Sequence, residues 1–312
     1  MNKLKLTVIT PVYNEEQGIA HFHKRTRAIL DTLENLDAEI LFVVDRSTDN
    51  TIEVLRSIVS NDTKSRVLTL SSRFGHQMAL LAGVEHSPKA DIIVMMDSDL
   101  QHPPELIPRL LEEFYKGAAI VYTIRRHTEK GNPVRRLVGS LFYRILNIVS
   151  QIKINPNAAD FRLINRKVAD TLITNFSERN MFLRSLFSWI GFKQVSIEFS
   201  AEPRFAGKSK YSLSQMFRLA ISGILSFSTR PLYTGLLVGF TFATIAFILI
   251  IGVIISYFVN HNTPSGWSTL TILFLFFSSV QLITLGIIGA YIGGIYEEVK
   301  KRPRYIIDEE IS

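Results

Sequence analysis

Ile92-Ile93-Val94-Met95-Met96-Asp97-Ser98-Asp99-Leu100-Gln101 is the stretch whose reading decides the fold. Its first half is short, apolar and β-branched, the pattern of a strand buried on both faces of a parallel sheet. Its second half puts two carboxylates one residue apart at the C-terminal end of that strand, where open α/β sheets hold their ligands. Carboxylate oxygens in such a place suit Mg²⁺ or Mn²⁺, ions commonly shared with substrate phosphates. The same tripeptide also occurs in plain solvated turns, so its meaning depends on what surrounds it.

Similar strand runs precede it: Leu6-Thr7-Val8-Ile9-Thr10, expected to end at Pro11, then Glu39-Ile40-Leu41-Phe42-Val43-Val44 and Arg66-Val67-Leu68-Thr69-Leu70. Helices are expected between them, at about residues 15–33, 51–59 and 77–84, and Pro103-Pro104 opens another as proline does in a first turn. This alternation predicts a parallel sheet with helices on both faces. Four polar segments then fall at successive strand ends, and so in one crevice: Thr10-Pro11-Val12-Tyr13-Asn14-Glu15-Glu16, Asp45-Arg46-Ser47-Thr48-Asp49-Asn50-Thr51, Arg73-Phe74-Gly75-His76-Gln77 and Asp97 to Gln101. Singly each has a plainer reading: Asp49 or Asn50 suits a helix cap, and so does His76.

Composition narrows the chemistry. The 312 residues suffice for one large domain or two smaller ones. There is no cysteine, which excludes disulfides, thiolate catalysis and cysteine-based zinc sites. The net charge of +7 fits nucleic acid, an anionic lipid or a phosphorylated substrate. Met1-Asn2-Lys3-Leu4-Lys5 has no apolar signal core, so a cytoplasmic first domain is expected. From Arg230 to Glu297 no charged residue intervenes, and two apolar stretches, Leu232–Val259 and Leu270–Ile295, each exceed the ~20 residues that cross a bilayer. Arg230 before them and Lys300, Lys301, Arg302 and Arg304 after them, with no positive charge in the connector, place both ends in the cytoplasm. Leu213–Phe227 reads as an interfacial or an ordinary surface amphipathic helix. The expected organisation is therefore an α/β domain over residues 1–210, an interfacial region over 211–230, a two-helix membrane domain over 231–296 and a cytoplasmic tail over 297–312.

Together with Asp160-Phe161-Arg162-Leu163, Gly207-Lys208-Ser209-Lys210-Tyr211, Tyr291-Ile292-Gly293, Ile295-Tyr296-Glu297-Glu298-Val299 and the paired spans, the first and fourth crevice segments occur in a telling order. The chain resembles the family-2 glycosyltransferases of the GT-A fold, a Rossmann-like α/β architecture. More narrowly it resembles the polyprenyl-phosphate glycosyltransferases, the dolichyl-phosphate mannose synthase and bactoprenyl glucosyl transferase group, over nearly its whole length. The resemblance implies that Pro11, Tyr13, Glu15, Val43 and Asp45 surround the donor base and ribose. It implies that Asp97 and Ser98 lie along the nucleotide and that Asp99 and Gln101 hold Mg²⁺ or Mn²⁺ beside the diphosphate. Arg204 and Lys210 are expected at the donor phosphates, and Arg125 and Arg136, with Ser140 nearby, at the acceptor phosphate. Asp160 has three open roles: orienting the sugar, assisting the nucleophile, or pairing with Arg162. The chain departs from the family pattern at Val44, Arg46, His102, Gly139, Asn157 and Gly294.

The implied reaction is inverting transfer of one hexose, with UDP-glucose the favoured donor, to polyprenyl phosphate at the cytoplasmic face of the cell membrane. The acceptor is already an anion, so orientation and stabilisation of the leaving diphosphate matter more than a strong base. A processive polysaccharide synthase is one alternative, of which Arg184 to Trp189 carries a loose echo; a non-catalytic membrane scaffold is another. Nucleic acid is not an expected partner. Gly286, Gly289, Gly293 and Gly294 on the second span would permit a homo-oligomer.

Overall fold

Val, Ile, Leu and Phe fill both faces of the central strands, and this is what forces helices to cover the sheet on each side. In a computed structural model of the chain, which describes residues 3–126, 158–178, 183–200, 230–260 and 266–312, eight strands form one sheet among the described residues. They are β1 (Leu4–Val12), β2 (Leu36–Val44), β3 (Ser65–Leu70), β4 (Ile92–Met95), β5 (Ile120–Arg125), β6 (Ala158–Asn165), β7 (Gln194–Phe199) and β8 (Ile307–Ile311). Their order across the sheet is β7-β5-β6-β4-β1-β2-β3-β8. The helices of this unit are α1 (Ile19–Leu30), α2 (Thr51–Asn61), α3 (His76–Glu85), α4 (Ile107–Tyr115), α5 (Arg166–Asn175) and α6 (Leu183–Trp189). Two long helices, α7 (Arg230–Asn260) and α8 (Trp267–Val299), belong to a second compact unit.

The sheet is mixed, not parallel as expected. β6 runs antiparallel to β4 and β5, and β8 antiparallel to β3. Nor does Pro11 end β1, which continues to Val12. The Ile9 carbonyl faces β4, accepting from Met96 N, so two residues later the missing proline N–H also falls on the β4 side. There the ladder has ended at the Ile9–Met95 pair, and no bond is lost.

One face of the sheet buries Leu6, Val8, Phe42 and Val94 with Phe22 of α1, Leu55 of α2 and Ile107 and Leu110 of α4. The other face carries α3, which approaches very closely at Gly83. A Cβ there would lie 2.3 Å from Cγ2 of Ile9 and 3.2 Å from Cγ2 of Val43. Ile9 is fully buried and has nowhere to go. Gly83→Ala is therefore expected to destabilise this unit by about 1–3 kcal/mol despite the better helix propensity of alanine. Thermal unfolding of the variant beside wild type measures it; an unchanged or raised Tm would contradict this packing.

At the far edge from the crevice, Asp62 follows α2 and accepts from Lys64 N at 3.0 Å, Ser65 Oγ at 2.7 Å and His23 Nε2 at 2.8 Å. Burial alone would raise its pKa, but these bonds and the Arg27 charge bring it down from 3.8 to about 2. A depressed carboxyl stabilises the fold above its unfolded pKa and loses that contribution as pH falls toward about 2. Asp62→Asn should then cost about 2 kcal/mol at neutral pH and remove one component of the decline in stability between about pH 4 and pH 2, as followed by urea midpoints across that range.

The residues expected as a tail instead re-enter the sheet. β8 pairs with β3 and covers an otherwise open edge. Just before it, Arg304 meets Glu85 of α3 at 2.5 Å and donates to the Phe176 carbonyl at 2.9 Å, and the Tyr305 hydroxyl donates to the same Glu85. Burial, with the adjoining carboxylate, pushes the Tyr305 phenol well above its usual range, so it stays a donor.

In the second unit α7 and α8 lie side by side, with Phe242 and Phe276 rings edge to face at 4.9 Å. Among the described residues one stretch, Phe276–Val299 of α8, is long and apolar enough to cross a membrane; its mean hydropathy is 1.6 and none of its most apolar window is buried. α7 carries a shorter apolar run, Leu232–Phe242. The helix expected over 213–227 and the greater part of the connector lie outside the described residues.

Candidate active site

The strand order turns back on itself at β1, which has β2 on one side and β4 on the other. That switch point opens a crevice at the C-terminal ends of the strands. Antiparallel β6 enters from the same edge: the pairing of Met95 with Arg162 sets Asp160 alongside Asp97. The site is thus assembled from the ends of β1 to β4 and the beginning of β6.

The loops after β1 and β2 are laced together. Asn14, in the left-handed region at φ 53°, donates its backbone N–H to Ser47 Oγ and exchanges side-chain bonds with Thr48. Glu15 N donates to Thr51 Oγ1, Glu16 N to Asp49 Oδ2, and Asn50 N back to Glu16. Asp49 thus bridges two loops as well as turning toward Thr51 N at 3.2 Å. The Tyr13 ring carries the Arg73 guanidinium 4.1 Å from its centre. The Pro11 carbonyl accepts from buried Ser98 Oγ at 3.1 Å.

Asp45 is buried and accepts from Phe74 N at 2.6 Å and Gly75 N at 2.9 Å. Burial raises its pKa although those N–H groups and Arg73 pull the other way. Its carboxylate fixes the loop after β3, where Gly75 adopts φ 93° to start α3. The Val43 side chain is fully buried and faces α3 at Gly83.

Asp97 lies between two histidines. His76 Nε2 donates to its Oδ1 at 2.7 Å, and His102 Nδ1 is 3.6 Å from its Oδ2. Burial opposes ionisation of Asp97, yet its surroundings, the charged His76 and Arg184 among them, hold it well below the usual carboxylate range. Burial likewise opposes a charge on His76, but Asp97 raises it to about 9. Gln77 Oε1 accepts from Leu183 N at 3.1 Å, and its Nε2 faces His76 Nδ1 at 3.3 Å. A charged His76 would want the amide reversed, so its protonation and the anchoring of α6 compete for one side chain.

Asp160 is held by Arg184 of α6 at 2.9 and 3.3 Å, with Arg162 at 3.7 Å. Burial pushes its pKa up, but Arg184, His76 and Arg162 outweigh this and keep it low. Arg162 is itself buried, drawn down to about 10, and placed over the Phe187 ring at 4.3 Å. Neither His76 nor Arg184 was singled out as a site residue by sequence: cap-like position hid the first, and the partner of the second lies 24 residues upstream on another element.

Asp99 is half-buried, and its Oδ1 accepts from Gln101 N at 3.1 Å, closing a turn in which Leu100 takes φ 61°. Among the described residues no group of three or more His, Cys, Asp or Glu is arranged so that it could hold a metal ion by itself. A carboxylate and an amide oxygen together fit a Mg²⁺ or Mn²⁺ ion that completes its shell with substrate phosphate and water, since such ions commonly use only one or two protein carboxylates. Arg125 lies exposed at the end of β5 on the same sheet edge. Arg136, Ser140, Arg204 and Lys210 lie outside the described residues.

Residues 7–173 match the family model described as Glycosyl transferase family 2. The chain is 38% identical over 307 residues to the uncharacterized glycosyltransferase YkcC of Bacillus subtilis (strain 168), covering 98% of this chain and 94% of that one. It is 36% identical over 304 residues to the prophage bactoprenol glucosyl transferase homolog of Escherichia coli (strain K12), covering 97% of this chain and 98% of that one. Among solved structures, mannosyl-3-phosphoglycerate synthase from Rubrobacter xylanophilus is similar over 70% of this chain and 71% of that one, with a TM-score of 0.48 and 16% identity. The chain belongs to glycosyl transferase family 2, with the Rossmann-like GT-A fold and a mixed sheet.

Proposed function

We propose that this chain transfers a single hexose from a nucleotide-sugar to a polyprenyl phosphate at the cytoplasmic face of a membrane, with inversion at the anomeric carbon. The observation that carries the reading is the end-to-end similarity to a bactoprenol glucosyl transferase homolog, which spans 97% of this chain and so includes the apolar helices. UDP-glucose is the donor that this similarity favours.

In this scheme Pro11, Tyr13, Glu15 and Asp45 surround the base and ribose, with Val43 supporting them from within the core. Asp97 and Ser98 lie along the nucleotide. Bound beside Asp99 and Gln101, Mg²⁺ or Mn²⁺ would supply Lewis-acid charge to the departing diphosphate. Arg204 and Lys210 add positive charge there. Arg125, Arg136 and Ser140 take the acceptor phosphate, for which the planar guanidinium fork is well shaped. Asp160, paired with two arginines and kept ionised, is a poor proton acceptor. A phosphate nucleophile needs none, so Asp160 serves by orienting sugar hydroxyls. α7 and α8 would cross the bilayer as a hairpin, with the basic residues after α8 on the cytoplasmic side.

The test uses the purified full chain in detergent with radiolabelled UDP-glucose and undecaprenyl phosphate, with and without chelator. Transfer of label to the organic phase, lost on chelation, is expected. Label that stays aqueous with UDP-glucose and with GDP-mannose and UDP-N-acetylglucosamine in its place would refute the reaction; a polymeric product would point to a processive synthase instead.

A further inference from the structure

We propose that His102 is a positioning residue for the Asp97–Gln101 turn, acting through the backbone of Asp97 as a neutral hydrogen-bond acceptor. The inference rests on the donor-site reading above and extends it to a side chain that touches no ligand.

Three observations converge on it. First, His102 Nδ1 accepts the Asp97 backbone N–H at 3.2 Å, closing a ring across the whole acidic turn. An acceptor nitrogen carries no proton, so the hydrogen resides on Nε2 and the ring is uncharged. Second, the imidazole is only 1% exposed and is clamped by aromatic rings from two other strands. It stacks on Phe161 of β6 at 5.4 Å and 25°, and meets Phe199 of β7 edge to face at 5.8 Å. Phe161 stands between Asp160 and Arg162, so the same clamp references the acidic turn to the strand that carries Asp160. Third, His102 Nε2 is buried without a hydrogen-bond partner among the described residues. A ring chosen for packing alone would gain by being phenylalanine; the unsatisfied donor is tolerated because the acceptor on the other side is used.

Imidazole offers the turn a lone pair without adding charge beside Asp97 and Asp99. The turn it closes is one that relaxes readily when untied, since Leu100 is held at φ 61°, a conformation that a β-carbon disfavours. Without the His102 bond the Asp99 carboxylate and the Gln101 amide lose their fixed spacing.

The experiment compares full-chain wild type, His102→Phe, His102→Asn and His102→Gln in detergent. The readouts are binding of UDP with Mn²⁺ by calorimetry, kcat and KM for transfer, and thermal unfolding. His102→Phe keeps the volume and the stacking but lacks the acceptor; it is expected to fold, to bind Mn²⁺–UDP about tenfold more weakly and to lose about 10²-fold in kcat. His102→Asn places its Oδ1 near the former Nδ1 and should recover most of both losses. His102→Gln carries its oxygen one bond farther out and should resemble the phenylalanine variant. Phenylalanine and asparagine variants equally impaired, or a phenylalanine variant that binds and turns over like wild type, would overturn the inference alone. Wild type that binds no Mn²⁺–UDP and transfers no sugar would overturn the donor-site reading with it.

Discussion

Asp99→Ala is expected to abolish sugar transfer, lowering kcat/KM at least about 10³-fold while the protein still folds. The carboxylate is half-buried and accepts a local bond from Gln101 N at 3.1 Å, and it lies in a turn outside the packed core, so the fold is expected to survive its loss. In the proposed reaction its effect lies in the transfer step, where a diphosphate leaves a sugar carbon and its negative charge must be met. Asp99→Asn separates the two contributions. It keeps an acceptor for Gln101 N but removes the charge that a hard cation needs. Nearly full inactivity of both variants, with unchanged Tm and with Mn²⁺–UDP affinity lowered at least tenfold, is the expected pattern. Transfer by Asp99→Asn at more than a tenth of the wild-type rate would place the divalent ion elsewhere.

Deleting residues 304–312 is expected to be the most damaging change to stability. It removes β8, the β3 pairing, the Glu85 contacts of Arg304 and Tyr305, and the ion pairs Arg56–Glu309 and Arg66–Glu310. The exposed pairs contribute little. Glu85 is different, because its side chain is only 18% exposed and both partners leave it together. Stranding that carboxylate costs about 3 kcal/mol or more, which for a domain of this size lowers Tm by roughly 6–12 °C. The bare β3 edge would also invite aggregation. Scanning fluorimetry and size-exclusion profiles of the truncated chain report both effects; a Tm within 2 °C of wild type would show that the strap is ornamental. Arg304→Met with Tyr305→Phe removes both contacts without exposing β3, and so divides the loss between them and the strand.

Much of the crevice was legible because it is written locally. Apolar β-branched runs ending in polar segments gave β1 to β4 and the four loops that follow them, and the spacing alone placed Asp45, Asp97 and Asp99 at one sheet edge. What escaped is written between distant residues. Asp160 and Arg162 interrupt the apolar run of β6, so the motif around them does not read as a strand; their pairing is one of the readings open to the sequence, whereas the third partner, Arg184, comes from another element and only the fold brings it in. The mixed character of the sheet follows from β6 and β8, and the pattern Ile-Asp-Glu-Glu-Ile of β8 looks like a solvated tail until β3 lies beside it. His102 has the look of a substituted surface position; its burial depends on Phe161 and Phe199, 59 and 97 residues away by subtraction of their numbers. Charge and hydropathy patterns identify an edge or a helix well, whereas a buried ion pair or a ring clamp exists only once three elements have met.

The edge strand also sets a timetable. β8 is translated after α8, so the ribosome has already delivered both long apolar helices before the last strand of the catalytic sheet exists. Until then β3 waits unzipped and α3 lacks its brace at Glu85. On the proposed membrane-bound reading, a newborn chain would acquire a finished crevice only after both apolar helices had been made and offered to the lipid, and would spend little of its infancy as a working enzyme adrift from a bilayer.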